Sequence, residues 1–136
     1  MANALDELAF RIRLDRPYDE ALELARVALK AEGFGVISEI DMKATLKAKI
    51  GVEFRSYAIL GVCHPAFAHR ALSAEPEIGL FLPCNVIVYE TEGQAGSAIS
   101  IVDPLQLLGG IEDEDLLAVA EDAHARLARA ATALQG

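Results

Sequence analysis

Seven consecutive residues, Tyr57-Ala58-Ile59-Leu60-Gly61-Val62-Cys63, contain no charged or amide side chain. Their length and their β-branched and aromatic content predict a strand, and a strand with almost no polar member has both faces covered. The segment from Leu80 to Tyr89 predicts a second such strand, apolar on both faces from Leu82 onward. Helices in a two-layer fold cover one face of a sheet only. The other face then has to meet a partner subunit, the last helix folded across it, or a ligand. Residues on opposite sides of this choice are Asn85, Ile87 and Tyr89 on one face and Cys84, Val86 and Val88 on the other. A second copy of the chain is the simplest cover, because large exposed apolar patches are rare on monomers, so a homodimer is expected.

The rest of the chain supplies the other strands and the helices. Leu8, Phe10, Ile12 and Leu14 alternate with Ala9, Arg11 and Arg13, which predicts a strand with one wet face at or near a sheet edge. After Pro17 the period changes to that of a helix, with Ala21, Leu22, Ala25, Ala28 and Leu29 on one stripe and Gly33 as its stop. Val36 to Met42 predicts a one-sided strand, Asp41 a cap for a short helix from Lys43 to Lys49, and Gly51 the end of that helix. Pro65 fits the first turn of a helix with Phe67, Ala68, Ala71 and Leu72 on its apolar stripe, ended by Pro76 and Gly79. Glu92-Gly93-Gln94-Ala95-Gly96 reads as a hairpin connection into a strand from Ala98 to Val102, and Pro104 with Gly109-Gly110 as a loop. From Asp113 the longest helix begins, with Leu116, Ala120, Ala123, Leu127, Ala131 and Leu134 at helical spacing, as a lid over the sheet. The expected fold is α+β, two-layered, with a mainly antiparallel sheet of about five strands and helices packed on one face. No linker or internal repeat interrupts the chain, so residues 1–136 are expected to form one domain.

Charge narrows the functional classes. The chain carries 12 Lys and Arg against 21 Asp and Glu, a net charge of −9. Residues 1–56 are nearly balanced, with nine basic and ten acidic side chains, whereas residues 57–136 hold three basic and eleven acidic ones. Nucleic acid and anionic lipid are therefore not expected partners, since phosphate affinity comes from clustered Lys and Arg. No stretch approaches the roughly 20 apolar residues of a transmembrane helix, and Asp6 and Glu7 stand where a signal peptide needs a cationic segment, so a cytoplasmic location is expected. Two cysteines are too few for a disulfide framework.

Cys63-His64-Pro65 and Leu82-Pro83-Cys84-Asn85 form a recognisable pattern with Gly35-Val36, Ile40-Asp41, Lys43-Ala44-Thr45-Leu46-Lys47, Tyr57 to Gly61, Glu75 to Leu80 and Asp103-Pro104. Through these segments the chain resembles the bacterial and archaeal domain-of-unknown-function family 302, from about Phe10 to the last helix. The resemblance implies a compact α+β fold of the TATA-binding-protein-like type, usually homodimeric, and gives no catalytic residues to carry over. One departure is His64, where the family commonly has Asn between Cys and Pro. Asn is a good helix cap and His a poorer one, so either the cap is weaker or His64 has another task.

The candidate site is Cys63, His64, Cys84 and Asn85. Cys63 ends one two-sided strand just before a helix start, whose positive end can lower a thiol pKa, and Cys84 opens the next strand. If the strands are neighbours, the thiols can meet at one end of the sheet. Three readings stay open: thiols that simply pack, a thiol site for redox, sulfur handling or metal capture, and thiols lining a ligand pocket. Zinc is disfavoured because Cys63 and His64 are adjacent and only two or three ligands can converge; no cofactor is expected. Lys43 and Lys47, one turn apart, are a candidate anion site in the only basic cluster, against the plainer reading of a solvated face balancing Glu39, Asp41 and Glu53. His69 and His124 read as surface or flank residues. No phosphate-cradling loop, dinucleotide fingerprint, nucleophile elbow, Cys-x-x-Cys or His-Glu-x-x-His motif occurs. The expected function is a homodimeric module that binds a small molecule or partner without catalysis, with a thiol-based protein using Cys63 and Cys84 as the alternative.

Overall fold

The structure, a computed structural model, describes residues 4–91 and 95–136. Strands β1 (Ala9–Leu14), β2 (Gly35–Asp41), β3 (Tyr57–Cys63), β4 (Cys84–Glu90) and β5 (Ser97–Val102) form one sheet in the order β1-β5-β4-β3-β2, antiparallel at every pairing. The two strands expected to be covered on both faces, β3 and β4, lie inside it, and the two one-sided strands, β1 and β2, are its edges. Helices α1 (Ala4–Glu7), α2 (Tyr18–Ala31), α3 (Met42–Ile50), α4 (Pro65–Ala74), α5 (Pro104–Leu107) and α6 (Glu114–Gln135) complete the chain.

Burial separates the two sheet faces. Ile12, Leu60, Val62, Val86, Val88, Ile99 and Ile101 point to one side and are sealed there by Ala21, Ala25 and Leu29 of α2 and by Leu127, Ala130, Ala131 and Leu134 of α6. The helices contribute mostly alanine to this contact, so their backbones come close to the branched side chains of the sheet. On the other side Tyr57 stacks on its cross-strand partner Tyr89, with ring centroids 5.3 Å apart, and Ile59 pairs with Ile87. These four residues are half-buried and belong to neither buried cluster. The helix-covered face is the one with Cys84, Val86 and Val88; the Asn85, Ile87 and Tyr89 face is left open.

Helix starts follow the expected capping chemistry. Asp41 accepts a hydrogen bond from the Ala44 amide at 2.9 Å, and Gly51 ends α3 in the left-handed region at φ 70°. Asp113 accepts from the amides of Asp115 and Leu116 at 2.9 and 3.0 Å. Arg70 on α4 pairs with Asp122 on α6 at 3.0 Å, and Arg129 on α6 pairs with Glu32 beyond α2 at 2.9 Å.

Three expectations need correction or qualification. β4 begins at Cys84 and not at Leu80: Pro76–Phe81 coil into a 3₁₀ turn that buries Ile78 and leaves Leu80 and Phe81 exposed. A short apolar run does not distinguish strand from turn, and Pro83, without an amide hydrogen, cannot extend the ladder. Pro104–Leu107, expected as loop, is a single helical turn capped by Asp103, which accepts from the Leu105 amide at 3.0 Å. Residues 92–94 of the expected hairpin connection lie outside the described residues. A second buried cluster gathers Ala71 of α4, Ile78 of the 3₁₀ turn, Leu108 after α5, and Leu116, Val119 and Ala120 of α6.

Candidate functional site

Where the main core and this second cluster meet, a cavity of about 300 Å³ opens at the end of the sheet where β3 finishes and β4 starts. Val62, Phe34 and Ala123 reach it from the main core, and Ala71, Ile78 and Ala120 from the second cluster. Cys63, His64 and Cys84 line the same cavity; Asn85, exposed on the open face opposite Gly61, does not.

The two cysteines reach the cavity wall separately. β3 and β4 are neighbours, as the thiol-pair expectation required, but the register sets Cys84 opposite Val62 and not opposite Cys63. Successive side chains of a strand alternate between faces, so Cys84 points into the core while Cys63 points to the other side. Both are free thiols, and the pair does not come together. Burial, the main cause, pushes the Cys84 thiol up to about 11, and Cys63 adds to the rise. Cys84 is therefore a protonated, packed side chain at neutral pH.

His64 has both tasks that the sequence left open. As cap of α4, its Nδ1 accepts from the Phe67 amide at 3.4 Å, and its ring stacks on Phe67 with centroids 3.8 Å apart and planes at 15°. An accepting Nδ1 is unprotonated, so the imidazole is neutral and carries its hydrogen on Nε2. Desolvation, then the Arg126 charge, lower its pKa, which favours the same state. Gly33 makes room for the ring: with φ at 87° it accepts a conformation that suits glycine, and a methyl group there would lie 2.7 Å from His64 Cδ2. Phe34 meets His64 edge-on at 5.4 Å, and the Arg126 guanidinium lies over Phe67 at 5.7 Å while donating to the Glu32 carbonyl at 3.4 Å. On the other side of β3, Gly61 admits the Pro83 ring: a methyl group at Gly61 would sit 2.7 Å from Pro83 Cγ.

Lys43 and Lys47 lie on α3, none of whose residues is buried, and Lys47 pairs with Glu53. They line no wall of the cavity. The solvated-face reading fits this arrangement better than a cleft mouth does. His69, on the exposed side of α4, also lines no wall of the cavity.

Sequence reasoning missed one polar pair. His124 Nδ1 lies 2.9 Å from both carboxylate oxygens of Asp103, and Asp103 is 6% exposed. Asp103 thus caps α5 and ties it to α6, positioning Pro104, Leu107 and Leu108 in the cavity wall. The two residues are 21 positions apart, and the only cue was an Asp before a proline, a common helix start. His124 bonds to no nucleophilic side chain among the described residues, so the pair is a clamp.

Among the described residues no group of three or more His, Cys, Asp or Glu is placed to hold a metal ion, and no helix is long and apolar enough to cross a membrane.

No functionally curated protein matches the chain. Among solved structures, an uncharacterised conserved protein from Bacillus stearothermophilus is similar, with 31% sequence identity and a TM-score of 0.81 over 93% of this chain and 97% of that one. The family model described as domain of unknown function DUF302 matches residues 10–134, and the fold and this match agree with the pattern of Cys63-His64-Pro65 and Pro83-Cys84-Asn85: the chain belongs to the DUF302 family.

Proposed function

We infer that this DUF302 protein is a homodimeric binding module that holds a small molecule in the cavity between its two buried clusters and performs no covalent chemistry on it. The observation that carries the reading is the cavity: about 300 Å³ of room at the lower end of the usual range for ligand sites, beside the segments that distinguish the sequence. The open sheet face supports the dimer, since Tyr57, Ile59, Ile87 and Tyr89 form a half-buried apolar surface beyond the reach of the chain's two buried clusters.

A thermal-shift screen against a metabolite panel tests binding, because a ligand at 100 times its Kd stabilises the folded state by about 2.7 kcal/mol. Sedimentation equilibrium tests the dimer. A panel in which nothing raises Tm, with a tight dimer present, would leave a structural role only. The thiol alternative now rests on Cys63 acting without Cys84. It expects alkylation of Cys63 in the folded protein faster than in an unfolded control; equal or slower reaction removes it.

A further inference from the structure

The wall of the cavity is more selective than its size. Among the described residues no Asp, Glu, Lys, Arg, Asn or Gln lines it; its lining residues with polar side chains are Cys63, His64 and Cys84. His64 is held neutral by its Nδ1 bond to the Phe67 amide, and the Cys84 thiol stays protonated. An ion entering this space would lose its hydration and find no charge or strong dipole to replace it. The mouth repeats the pattern: Ile37, Leu72, Phe81 and Leu107 are the large lining side chains that reach solvent, and all are apolar.

Charges beside these walls are acidic or already engaged. Glu75 and Glu77 sit on the turn that carries Ile78 and Phe81, and Glu112 to Asp115 lead into α6 ahead of Leu116. Arg70 is paired with Asp122, and Arg126 lies over the Phe67 ring outside the cavity wall. An anionic head group at the mouth would therefore meet like charge. At about 30 Å³ for each water-sized group, the volume takes on the order of ten non-hydrogen atoms.

Resting on the binding-module reading, we propose that the cavity selects an uncharged medium-chain hydrophobe of about ten non-hydrogen atoms, with at most one weakly polar end. Fatty-acid-like anions and phosphorylated metabolites of the same length are excluded by the neutral wall and the acidic surroundings.

Isothermal titration calorimetry at pH 8 with a series of 1-alkanols and the matching alkanoates tests this on the intact protein. Affinity for the alcohols is expected to rise about fourfold per added methylene, the worth of burying one such group, and to level off near ten non-hydrogen atoms. Octanoate is expected to bind at least about tenfold more weakly than 1-octanol, as burial of an unpaired charge requires. Ala71→Leu and Ala120→Leu each add side-chain volume inside the cavity and should shorten the longest alcohol accepted while circular dichroism stays that of the parent. Octanoate binding as tightly as 1-octanol, or affinity that keeps rising well past ten atoms, would overturn the ligand class while leaving a binding site. If tight octanoate binding is lost in Arg126→Gln, the head group lies on Arg126 and the neutral-ligand proposal fails. No heat from any member of either series overturns the binding-module reading itself.

Discussion

Helix α6 packs twice along one apolar stripe, and its two halves behave differently. From Ala123 to Leu134 it joins the main core on the inner face of the sheet, and Leu127 is fully buried there. From Leu116 to Ala120 the same stripe meets α4, the 3₁₀ turn and the end of α5, and a cavity of about 300 Å³ remains. The stripe is nearly uniform, so its partner makes the difference. A sheet presents a continuous row of branched side chains at fixed spacing, whereas three short elements joined by loops meet a helix only at points. An apolar void is therefore expected in the second half, where a ligand can enter without breaking the first.

Truncation separates the two halves most strongly. Leu127→Ala should cost about 2–5 kcal/mol, because the sheet beneath it cannot collapse into the space. Leu116→Ala, beside an existing void among short elements, should cost at least about 1 kcal/mol less. Urea denaturation of both variants measures the gap, and equal losses would mean that the second cluster is packed as tightly as the first.

The clamp that holds the cavity wall comes next in size. Asp103→Ala removes a buried carboxylate that accepts from the Leu105 amide and meets His124, and a bond to a charged group is worth about 1.5–3 kcal/mol. The loss should fall on the second half: hydrogen exchange is expected to quicken at Leu107 and Leu108 and to stay slow at Leu60 and Val86. Uniform quickening would mean that the halves unfold as one unit.

Enlarging alanines reverses the sign between the halves. Ala130→Leu has no space against the sheet and should cost about 1–3 kcal/mol. Ala120→Leu enters the cavity and should leave stability within about 1 kcal/mol of the parent, or raise it. Equal destabilisation of both would remove the distinction between packed and open halves.

The legibility of the sequence follows the same division. Period and composition suffice for the strands and for α2 and α6, because Ala21, Ala25 and Leu29, or Leu127 and Leu134, repeat against a regular surface. They fail where partners are irregular. Leu80 and Phe81 look like a strand because an apolar run carries no sign of the 3₁₀ turn that exposes them. Cys63, His64 and Cys84, three of the four candidate residues, line the cavity, and Asn85 does not. Their pairing was not legible, since a shift of one residue in register sends a side chain to the other face and nothing local fixes that shift. The Asp103 and His124 contact is likewise a product of tertiary placement. Two-sided apolarity in β3 and β4 announced a second cover without identifying it, because the same pattern serves a partner subunit or a ligand.

The smallest expected effect lies at the junction of the halves, where His64 caps α4 through Nδ1. Burial and Arg126 lower its pKa in the folded protein below the ordinary 6.5. Above pH 6.5 the imidazole is neutral in both states, and its full contribution to stability is present. As pH falls below 6.5 the unfolded chain takes up the proton first, so the unfolded state binds more protons and stability declines until the folded-state pKa is passed. His64→Asn replaces the ring with a non-titrating cap, so its stability should fall less steeply than the parent's below pH 6.5, and every other titratable group is common to both proteins. Urea midpoints from pH 8 to pH 5 give the two slopes. Parallel curves would mean that His64 holds its place by stacking on Phe67 alone, and that the capping bond adds nothing to the junction.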